Sequence, residues 1–409
     1  MSETFVPAFP DRDRPLVSYG LPFVQSLPRH VDHLFHASRI YVISSRSLAA
    51  NTTYLDGLKE ALGGKLAGVR IGMKPHSHWS EILEVVAEAK RHDADLLVTL
   101  GAGSLTDAAK IISFALANDV STHEGLSGLL PESPQKRDNI KPATVPIVCI
   151  PTSLSGGEYS SFAGGTDDRT GQKHIFAGEA LKPPALVILD PELTTTTPDK
   201  VWLSTGIKAV DHCVETLCSL GSDDLADAAA RDGLTKLIPG LLKTKQNPKD
   251  LEARLETQLG AKDAMAACSR GVPLGASRAV DGIGHQLGPA GVSHGETSCI
   301  LNPAVCKYNY KKGANVERQD AIAQLLWDEP QARAIFSQRG LNKETADLGD
   351  LVDAIVRALD LPRTLKEFGI GEDKLDGIAE RSLRNRWVQS NPAGLDKDGV
   401  LEILKMVLG

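Results

Sequence analysis

The sequence predicts an α/β domain with a parallel sheet, followed by an all-helical domain. Three observations support this fold class. Short aliphatic runs alternate with helical patterns in the first half of the chain, a glycine-rich turn follows one of these runs, and long helical patterns replace the aliphatic runs beyond residue 193. The 409 residues are also too many for one ordinary core. We therefore expect an α/β domain over residues 1–195 and a helical domain over 196–409, with a ligand in the cleft between them.

The aliphatic runs of the first half predict strands that alternate with covering helices, as in a parallel sheet. The predicted strands are 39–44, 69–71, 96–100, 146–150 and 185–189, with helices through 58–62 and over 81–91 and an exposed loop at 131–137. In the second half, helical periodicity predicts helices at 224–238, 251–269, 318–327, 348–359, 375–386 and 399–408.

Composition excludes several classes of function. A net charge of −7 without a basic block argues against a nucleic-acid partner. No apolar run reaches the roughly 18 residues of a membrane helix, and the first residues lack the layout of a signal peptide. The six cysteines form no CxxC pair, so we expect reduced, mostly buried thiols in a cytoplasmic protein.

A glycine turn separates the aliphatic run LLVTL (96–100) from the helical segment that begins GAGSLTDAAK (101–110). Strand, tight turn and helix in this order suit a phosphate or pyrophosphate, because glycines admit close approach and the first helical amides are unpaired. An ordinary turn between strand and helix is the alternative. Ser104 and Asp107 have the spacing of a capping-box variant that would fix where the helix begins.

Two polar clusters lie in the helical half. On a helix, Lys208 and His212 share one face at i and i+4, and so do Asp281 and His285. His294 follows shortly after a Pro/Gly turn. Together these side chains predict a polar site lined by two helices, although each histidine by itself is more typical of an ordinary core or surface position than of a site.

Seven segments of the chain match the pattern of one known family. They are GAGSLTDAAK (101–110), PTSLSGGE (151–158), TGQKHIF (170–176), ALVILDPELT (185–194), GIKAVDHCVE (206–215), GHQLGPAGVSHGETSCILNP (284–303) and SNP (390–392). With these segments the chain resembles the iron-containing alcohol dehydrogenase superfamily, and within it the maleylacetate reductase branch. The resemblance implies a dinucleotide-binding α/β domain followed by a helical domain, an architecture shared with dehydroquinate synthases. It also implies hydride transfer between NAD(P)H and a small-molecule carbonyl in a homodimer.

The resemblance also implies roles in cofactor binding. Ser45 and Arg46 stand where relatives often carry an aspartate that rejects a 2′-phosphate, so NADPH is favoured over NADH. The other implied positions are Gly101, Gly103 and Ser104 at the pyrophosphate, Asp107 as the aspartate of that motif, Thr152, Ser153 and Ser155 along the adenine and ribose, and Lys173 near the nicotinamide ribose.

The chain departs from the metal-dependent members of this superfamily at the positions of the metal ligands. Their ligands are an aspartate and three histidines, and the matching positions here are Lys208, His212, Asp281 and His294. A protonated lysine has no lone pair and repels a cation. We therefore expect no catalytic metal, although His212, Asp281 and His294 would be the ligands if one bound. Maleylacetate reductases also replace the aspartate and work without metal, but not with lysine.

Lys208, paired with Asp281, would then stabilise the developing alkoxide in place of a Lewis acid. His212 or His294 would donate the proton or hold the substrate, and His285 matches a histidine close to the nicotinamide; an inert buried salt bridge is the alternative reading. The leading function is thus NAD(P)H-dependent reduction of an oxo-acid such as maleylacetate, or of a related ketone or aldehyde. A metal-dependent alcohol dehydrogenase, a lyase of the dehydroquinate synthase type and a non-catalytic cofactor-binding relative remain the alternatives.

Overall fold

The computed structural model describes residues 2–271, 279–385 and 387–409. The chain divides into two compact units, Met1–Thr196 and Thr197–Gly409. Among the described residues, no helix combines the length and the apolar character that crossing a membrane requires. All six cysteines are buried, and none of them forms a disulfide.

The first unit is built on a seven-stranded sheet with the order β1-β2-β9-β6-β5-β3-β4. Its central strands are buried on both faces: Ile40 and Val42 pack towards one layer of helices, Tyr41 and Ile43 towards the other. A separate antiparallel hairpin is formed by β7 and β8. The strands are β1 Thr4–Phe9, β2 Arg12–Tyr19, β3 Ile40–Ser44, β4 Leu66–Ile71, β5 Leu96–Gly101, β6 Ile147–Pro151, β7 Ala163–Asp167, β8 Gln172–Phe176 and β9 Leu186–Leu189.

Helices cover both faces of this sheet. Leucines of α1 and α3 pack with Ile40 and Val42, whereas aliphatic residues of α4 and α5 pack with Tyr41 and Ile43. The helices of this unit are α1 Phe23–His30, α2 Arg46–Asn51, α3 Tyr54–Leu62, α4 Trp79–Arg91, α5 Gly103–Ala117, α6 His123–Ser127 and α7 Pro191–Thr194.

The predicted parallel sheet is confirmed, and two strand pairs were not predicted. From β2 to β4 every neighbouring pair is parallel, but β1 adds an antiparallel edge next to β2. β2 is interrupted by charges and by Pro15, and four of the five residues of β8 are not buried. Neither strand therefore carries an aliphatic run.

The strand order creates a switch point between β3 and β5. β4 follows β3 in the chain and pairs on one side of it, and the chain then crosses over to form β5 on the other side. In open α/β sheets, ligands bind outside the carboxyl ends of the strands at such a point. Here the carboxyl end of β3 is followed by Ser45, and the carboxyl end of β5 leads into the turn at Gly101.

The second unit is helical throughout its described residues. One core is formed by α11, α12, α16 and α17, and α8, α9 and α10 pack against one another. The helices are α8 Asp199–Cys218, α9 Asp224–Gln246, α10 Leu251–Gly271, α11 Ala279–Gly284, α12 His294–Lys311, α13 Val316–Asp328, α14 Pro330–Gln338, α15 Leu348–Ala358, α16 Leu375–Ser382 and α17 Lys397–Met406.

The six helices predicted from periodicity in this unit are present as α9, α10, α13, α15, α16 and α17. α12 and α14 were not predicted, and α8 and α11 were expected only as the helices that carry Lys208 and Asp281. α9 continues through Pro239 to Gln246, because buried Leu237 and Leu241 on either side of the proline keep it packed. α16 ends at Ser382. The predicted end of that last helix, residue 386, lies outside the described residues.

Candidate active site

The turn after β5 requires glycine at two positions. Gly101 has φ +151°, and a Cβ placed there would lie 2.7 Å from Leu105 Cδ1 and 3.0 Å from Ser45 Cβ. A Cβ on Gly103 would lie 2.5 Å from Ser155 Oγ. α5 begins at Gly103, so its first amides, which have no partner within the helix, stand at this crowded turn. This is the backbone arrangement that suits an anionic ligand.

The predicted capping box at Ser104 and Asp107 is wrong. The N-cap residue of α5 is Ala102 and supplies no side-chain cap. Ser104 falls inside the first turn, and the Asp107 carboxylate instead accepts a hydrogen bond from the Gly164 amide at 3.0 Å. It also pairs with the buried Lys110 ammonium at 3.1 Å. Asp107 therefore ties α5 to the β7–β8 hairpin.

The residues predicted along the adenine and ribose lie beside the glycine turn. The Thr152 amide donates to the Gly101 carbonyl at 3.2 Å, and Ser153 Oγ donates to Ser155 Oγ at 3.3 Å. Ser155 in turn lies over Gly103, as described above. The structure thus brings these side chains together at the carboxyl ends of β5 and β6.

Lys173, predicted near the nicotinamide ribose, reaches the same region from β8. Its Cε lies 2.7 Å from where a Cβ of Gly164 would be, and Asp107 Oδ2 lies 3.6 Å from the same point. Glycine at 164 therefore leaves the space that the lysine stem occupies. Lys173 and Asp107 converge on this hairpin glycine.

Ser45 and Arg46 follow β3 at the switch point. Ser45 is the N-cap residue of α2, and its side chain accepts from the Leu48 amide at 3.3 Å. Arg46 is exposed, and its Nε lies 3.0 Å from where a Cβ of Gly72 would be. It forms no ion pair with any residue that the structure describes. A cation is therefore available beside the cap of α2.

The segment KPHSH after β4 also reaches this edge and was missed by the sequence interpretation. Ser77 Oγ donates to the Ser104 carbonyl at 2.9 Å, and His76 and Ser77 both have left-handed backbone conformations, with φ 69° and 51°. Burial lowers the pKa of His76, and the nearby Lys173 and His78 lower it further. The sequence feature that could have revealed this segment is its run of polar residues shortly after a predicted strand.

In the second unit, Lys208 is held between two carboxylates. Its Nζ donates to Asp211 Oδ2 at 2.9 Å and also to Asp281 Oδ1. All three side chains are buried, with 3%, 0% and 4% of their area exposed. Asp211 lies one turn after Lys208 on α8, and α11 supplies Asp281. The predicted pairing of Lys208 with Asp281 is present, and Asp211 joins it.

Asp211 is another site residue that the sequence interpretation did not find. Besides Lys208, it accepts a hydrogen bond from Ser298 Oγ at 2.7 Å and another from Asn302 Nδ2. Two signals were available in the sequence. Asp211 stands at i+3 from Lys208, and His294, Ser298 and Asn302 repeat every four residues along one face of α12.

His294 is the first residue of α12. The helix start is fixed by a capping box between Ser293 and Glu296. The His294 side chain is 55% exposed, and its Nε2 lies 3.7 Å from Asp281 Oδ1. Its ring stacks on that of His285 with centroids 5.8 Å apart. His285 Nδ1 lies 3.0 Å from Asn385 Nδ2; because an amide nitrogen donates, this ring nitrogen is the acceptor.

Buried His212 lies next to Asp211 on α8. Ligand atoms of His212, Asp211 and Glu215 lie within 4.8 Å of one another, and Glu215 Oε1 accepts from the Val280 amide at 3.0 Å. The structure thus brings Lys208 and His294 to the same carboxylate, that of Asp281. His285 stacks on His294, and His212 lies beside Asp211.

Comparison with known proteins gives family matches over both units. The family model for iron-containing alcohol dehydrogenase matches residues 17–191, and that for the C-terminal part of the Fe-containing alcohol dehydrogenase family matches 202–408. The dehydrogenase ALT3 of Alternaria alternata is 39% identical over 91% of this chain and 99% of its own length. The dehydrogenase FUM7 of Gibberella moniliformis is 37% identical over 96% of both chains.

More distant relatives include a maleylacetate reductase. The enzyme of Burkholderia cepacia is 26% identical over 96% of this chain and 95% of its own length. Among solved structures, the maleylacetate reductase of Agrobacterium tumefaciens has the same fold, with a TM-score of 0.75 and 23% identity over 100% of this chain and 98% of that one.

Proposed function

Because this chain belongs to the iron-containing alcohol dehydrogenase family, we propose that it reduces a carbonyl group with NADPH and uses Lys208 in place of a metal ion. The observation that carries the proposal is the position of the Lys208 ammonium. It stands where metal-dependent relatives have a carboxylate ligand, and it donates to Asp281 at a second ligand position. The relatives named above are described as dehydrogenases and reductases.

The residues at the family's metal positions do not fit a catalytic iron or zinc ion. An ammonium has three donors and no lone pair, so Lys208 cannot ligate and repels a divalent cation. Its contacts with Asp281 and Asp211 occupy lone pairs that a metal would need. His212, Asp281 and His294 remain as ligand types, but a buried positive charge lies among them.

The same ammonium can do part of the work of a Lewis acid. When bound, NADPH supplies a hydride to the carbonyl carbon, and negative charge develops on the carbonyl oxygen. Lys208 offers a fixed positive charge and a hydrogen-bond donor to that oxygen. Burial strengthens this interaction, because little water screens it. Asp211 and Asp281 hold the ammonium in place, and His294 or His212 would supply the proton.

The first unit offers the groups that would hold the cofactor. The first amides of α5 at Gly103 and Ser104 suit the pyrophosphate, and Thr152, Ser153 and Ser155 suit the adenosine. Arg46 is the observation that favours NADPH, because its exposed guanidinium has no acidic partner in the described part of the chain. A 2′-phosphate would supply one.

The test compares Lys208→Met with the wild type. NADPH oxidation is measured with maleylacetate, succinate semialdehyde, sulfoacetaldehyde and butanal, which represent acidic and neutral carbonyl compounds. Removing a preorganised donor to a developing oxyanion lowers turnover about 100-fold to 1,000-fold, while NADPH affinity stays unchanged. Lys236→Met, which removes another lysine paired with an aspartate in this unit, is the matched control and should keep full turnover. Full turnover by Lys208→Met would exclude the electrophile role.

The metal-dependent alternative has one observation in its favour. Asp211, His212 and Glu215 bring ligand atoms within 4.8 Å of one another. It requires that chelation stops turnover and that added Fe²⁺ or Zn²⁺ restores it. We expect chelator-treated enzyme to keep its activity. A cofactor-binding protein without catalysis would bind NADPH and oxidise it with none of the four carbonyl compounds.

A further inference from the structure

Asn385 contacts the ring of His285 from the turn that follows α16. Its Nδ2 lies 3.0 Å from His285 Nδ1, and its Oδ1 accepts a hydrogen bond from the Trp387 amide at 3.0 Å. A backbone N–H can only donate, so the carboxamide oxygen must face Trp387 and the carboxamide nitrogen must face the ring. The two ends of the Asn385 side chain are therefore assigned by their partners.

The backbone around Asn385 keeps this side chain in place. The Asn385 amide donates to the Ser382 carbonyl at 2.9 Å, and the Asn385 carbonyl accepts from the Val388 amide at 3.1 Å. Val388 is buried and packs on Gly282 of α11, where an added Cβ would lie 2.6 Å from Val388 Cγ2. The turn that carries Asn385 is thus packed against the helix that leads directly into His285.

This arrangement determines where the neutral ring of His285 carries its proton. A neutral imidazole has one N–H and one acceptor nitrogen, and the partner of one nitrogen decides which is which. Because Nδ1 faces a donor, it keeps its lone pair, and the proton lies on Nε2. At Nε2 the ring is therefore a hydrogen-bond donor.

We propose that Asn385 is a positioning residue that keeps His285 in the Nε2–H tautomer, so that His285 donates a hydrogen bond to a carbonyl oxygen of a bound ligand. That oxygen belongs either to the substrate or to the carboxamide of the nicotinamide. The proposal rests on the proposed function, because both ligands belong to that reaction.

The location of His285 beside the Lys208 site supports the proposal. Its ring stacks on that of His294, with 5.8 Å between the centroids and 16° between the planes. His294 in turn lies 3.7 Å from the Asp281 carboxylate, which accepts from the Lys208 ammonium. A donor at His285 thus stands next to the residues that we propose to stabilise the developing alkoxide.

The same contact separates the roles of the two stacked histidines. Nε2 of the neutral His285 ring already carries a proton and cannot accept another. A proton on Nδ1 would place two donors against each other at the contact with Asn385. His285 therefore orients a ligand, and proton transfer is left to His294 or His212.

The first measurement is made on the wild-type protein without cofactor or substrate. Histidine is labelled with ¹⁵N, and the two ring nitrogens of His285 are observed by NMR at a pH at which the ring is neutral; the signals are assigned by their loss in His285→Gln. We expect the chemical shift of a protonated nitrogen for Nε2 and that of an acceptor nitrogen for Nδ1. A proton on Nδ1, or an even mixture of the two tautomers, would overturn the proposal.

The second measurement uses Asn385→Asp, which has nearly the same shape as the wild-type side chain. One carboxylate oxygen still accepts from the Trp387 amide, and the other replaces the donor at His285 by an acceptor. The proton of the neutral ring should therefore move to Nδ1, leaving a carbonyl oxygen of the ligand without its donor. Loss of such a partner weakens binding or turnover about 10-fold to 100-fold.

Turnover should follow the proton on Nε2, whichever state the NMR spectrum of Asn385→Asp shows. If the ring takes up a second proton beside the carboxylate, Nε2 remains a donor and turnover is retained. In the His285→Gln background, Asn385→Asp should have no further effect. Full turnover with an unprotonated Nε2, or an equal loss in the His285→Gln background, would show that Asn385 does not act through His285.

Two readouts distinguish the acceptors. An increase in the Kd of NADPH in Asn385→Asp identifies the nicotinamide carboxamide, whereas a lower kcat/KM for the carbonyl compound with an unchanged Kd identifies the substrate. Asn342→Asp is the matched control, because it adds the same charge at an exposed asparagine whose Oδ1 also accepts from a backbone amide, that of Glu344 at 2.8 Å. It should change neither value.

The outcome is separable from that of the proposed function. If the wild-type spectrum shows the proton on Nε2 and Asn385→Asp loses turnover while Lys208→Met retains it, the role of Asn385 stands and the electrophile role fails. If Lys208→Met loses turnover but the wild-type ring carries its proton on Nδ1, the electrophile role stands and that of Asn385 is refuted.

Discussion

Cofactor choice is expected to change with a single substitution, Ser45→Asp. Ser45 caps α2 by accepting from the Leu48 amide, and aspartate is an equally good N-cap residue. The substitution therefore keeps the helix start. It adds a carboxylate beside the glycine turn, because Ser45 Cβ lies only 3.0 Å from where a Cβ of Gly101 would be. The fold is preserved, and the added carboxylate offsets the positive charge of Arg46 at the adenosine end of the predicted site.

The size of the effect follows from the charges at this position. Arg46 has no ion pair with any described residue, so its guanidinium is fully available to a 2′-phosphate. A hydrogen bond between charged groups contributes about 1.5–3 kcal/mol, which is about a 10-fold to 100-fold change in Kd. Arg46→Ala should weaken NADPH binding by that factor. Ser45→Asp should weaken it at least as much, because it adds repulsion and draws Arg46 away, while NADH gains a ribose acceptor.

The assay is the dissociation constant of each cofactor, measured by titration calorimetry on wild type, Ser45→Asp and Arg46→Ala. Arg91→Ala is the matched control, since Arg91 is an exposed arginine that lies near Tyr41. The ratio of the NADH constant to the NADPH constant should fall in both site variants and stay constant in the control. Unchanged ratios in both site variants would refute the placement of the adenosine at the end of β3.

Three further predictions concern residues around these sites. Burial raises the pKa of Glu158 to about 7 from its usual value of 4.5. Between these two pH values the folded chain therefore binds a proton that the unfolded chain has lost, and the free energy of unfolding of the first unit should fall by about 3 kcal/mol as pH rises from 4.5 to 7. Glu158→Gln should abolish this dependence on pH in thermal unfolding. Gly295→Ala should destabilise the second unit by about 1–3 kcal/mol, because a Cβ at this position would lie 2.9 Å from the Ser204 carbonyl group. Its control is Gly288→Ala, which should leave the melting temperature unchanged because a Cβ on Gly288 would meet open space. Asp211→Asn should lower turnover about 10-fold to 100-fold, as loss of an orienting partner does, without changing the Michaelis constant for NADPH; an equal loss of cofactor affinity would indicate a general structural role.

Local patterns predicted those parts of the fold whose residues are buried on a regular period. β3, β5, β6 and β9 are aliphatic because helices cover both of their faces. β1 and β8 could not be found this way, since an edge strand or an exposed hairpin strand needs no such run. The glycine turn at Gly101 was recognisable because its conformation restricts the residue type.

Side-chain partners were harder to predict, because a carboxylate accepts from whichever donors the tertiary structure brings near. Asp107 has the right spacing for a cap, but its donors come from Gly164 and Lys110. Asp211 was missed for the same reason: two of its partners, Ser298 and Asn302, lie 87 and 91 residues further along the chain. The pairing of Lys208 with Asp281 was accessible only because the resemblance placed both at positions that meet in the family's site.

The charges at positions 208, 211 and 281 form one physical unit. A buried ammonium that faces a single carboxylate would leave hydrogen-bonding capacity unused, whereas Lys208 donates to both Asp211 and Asp281. Removing one partner of a buried ion pair costs about 3–5 kcal/mol, whereas replacing the whole set by uncharged residues can be neutral. Changes at these positions should therefore be strongly non-additive: in the Lys208→Met background, Asp211→Asn should recover stability that it costs in the wild type. Simple addition of the two losses would show that Asp211 does not act through Lys208.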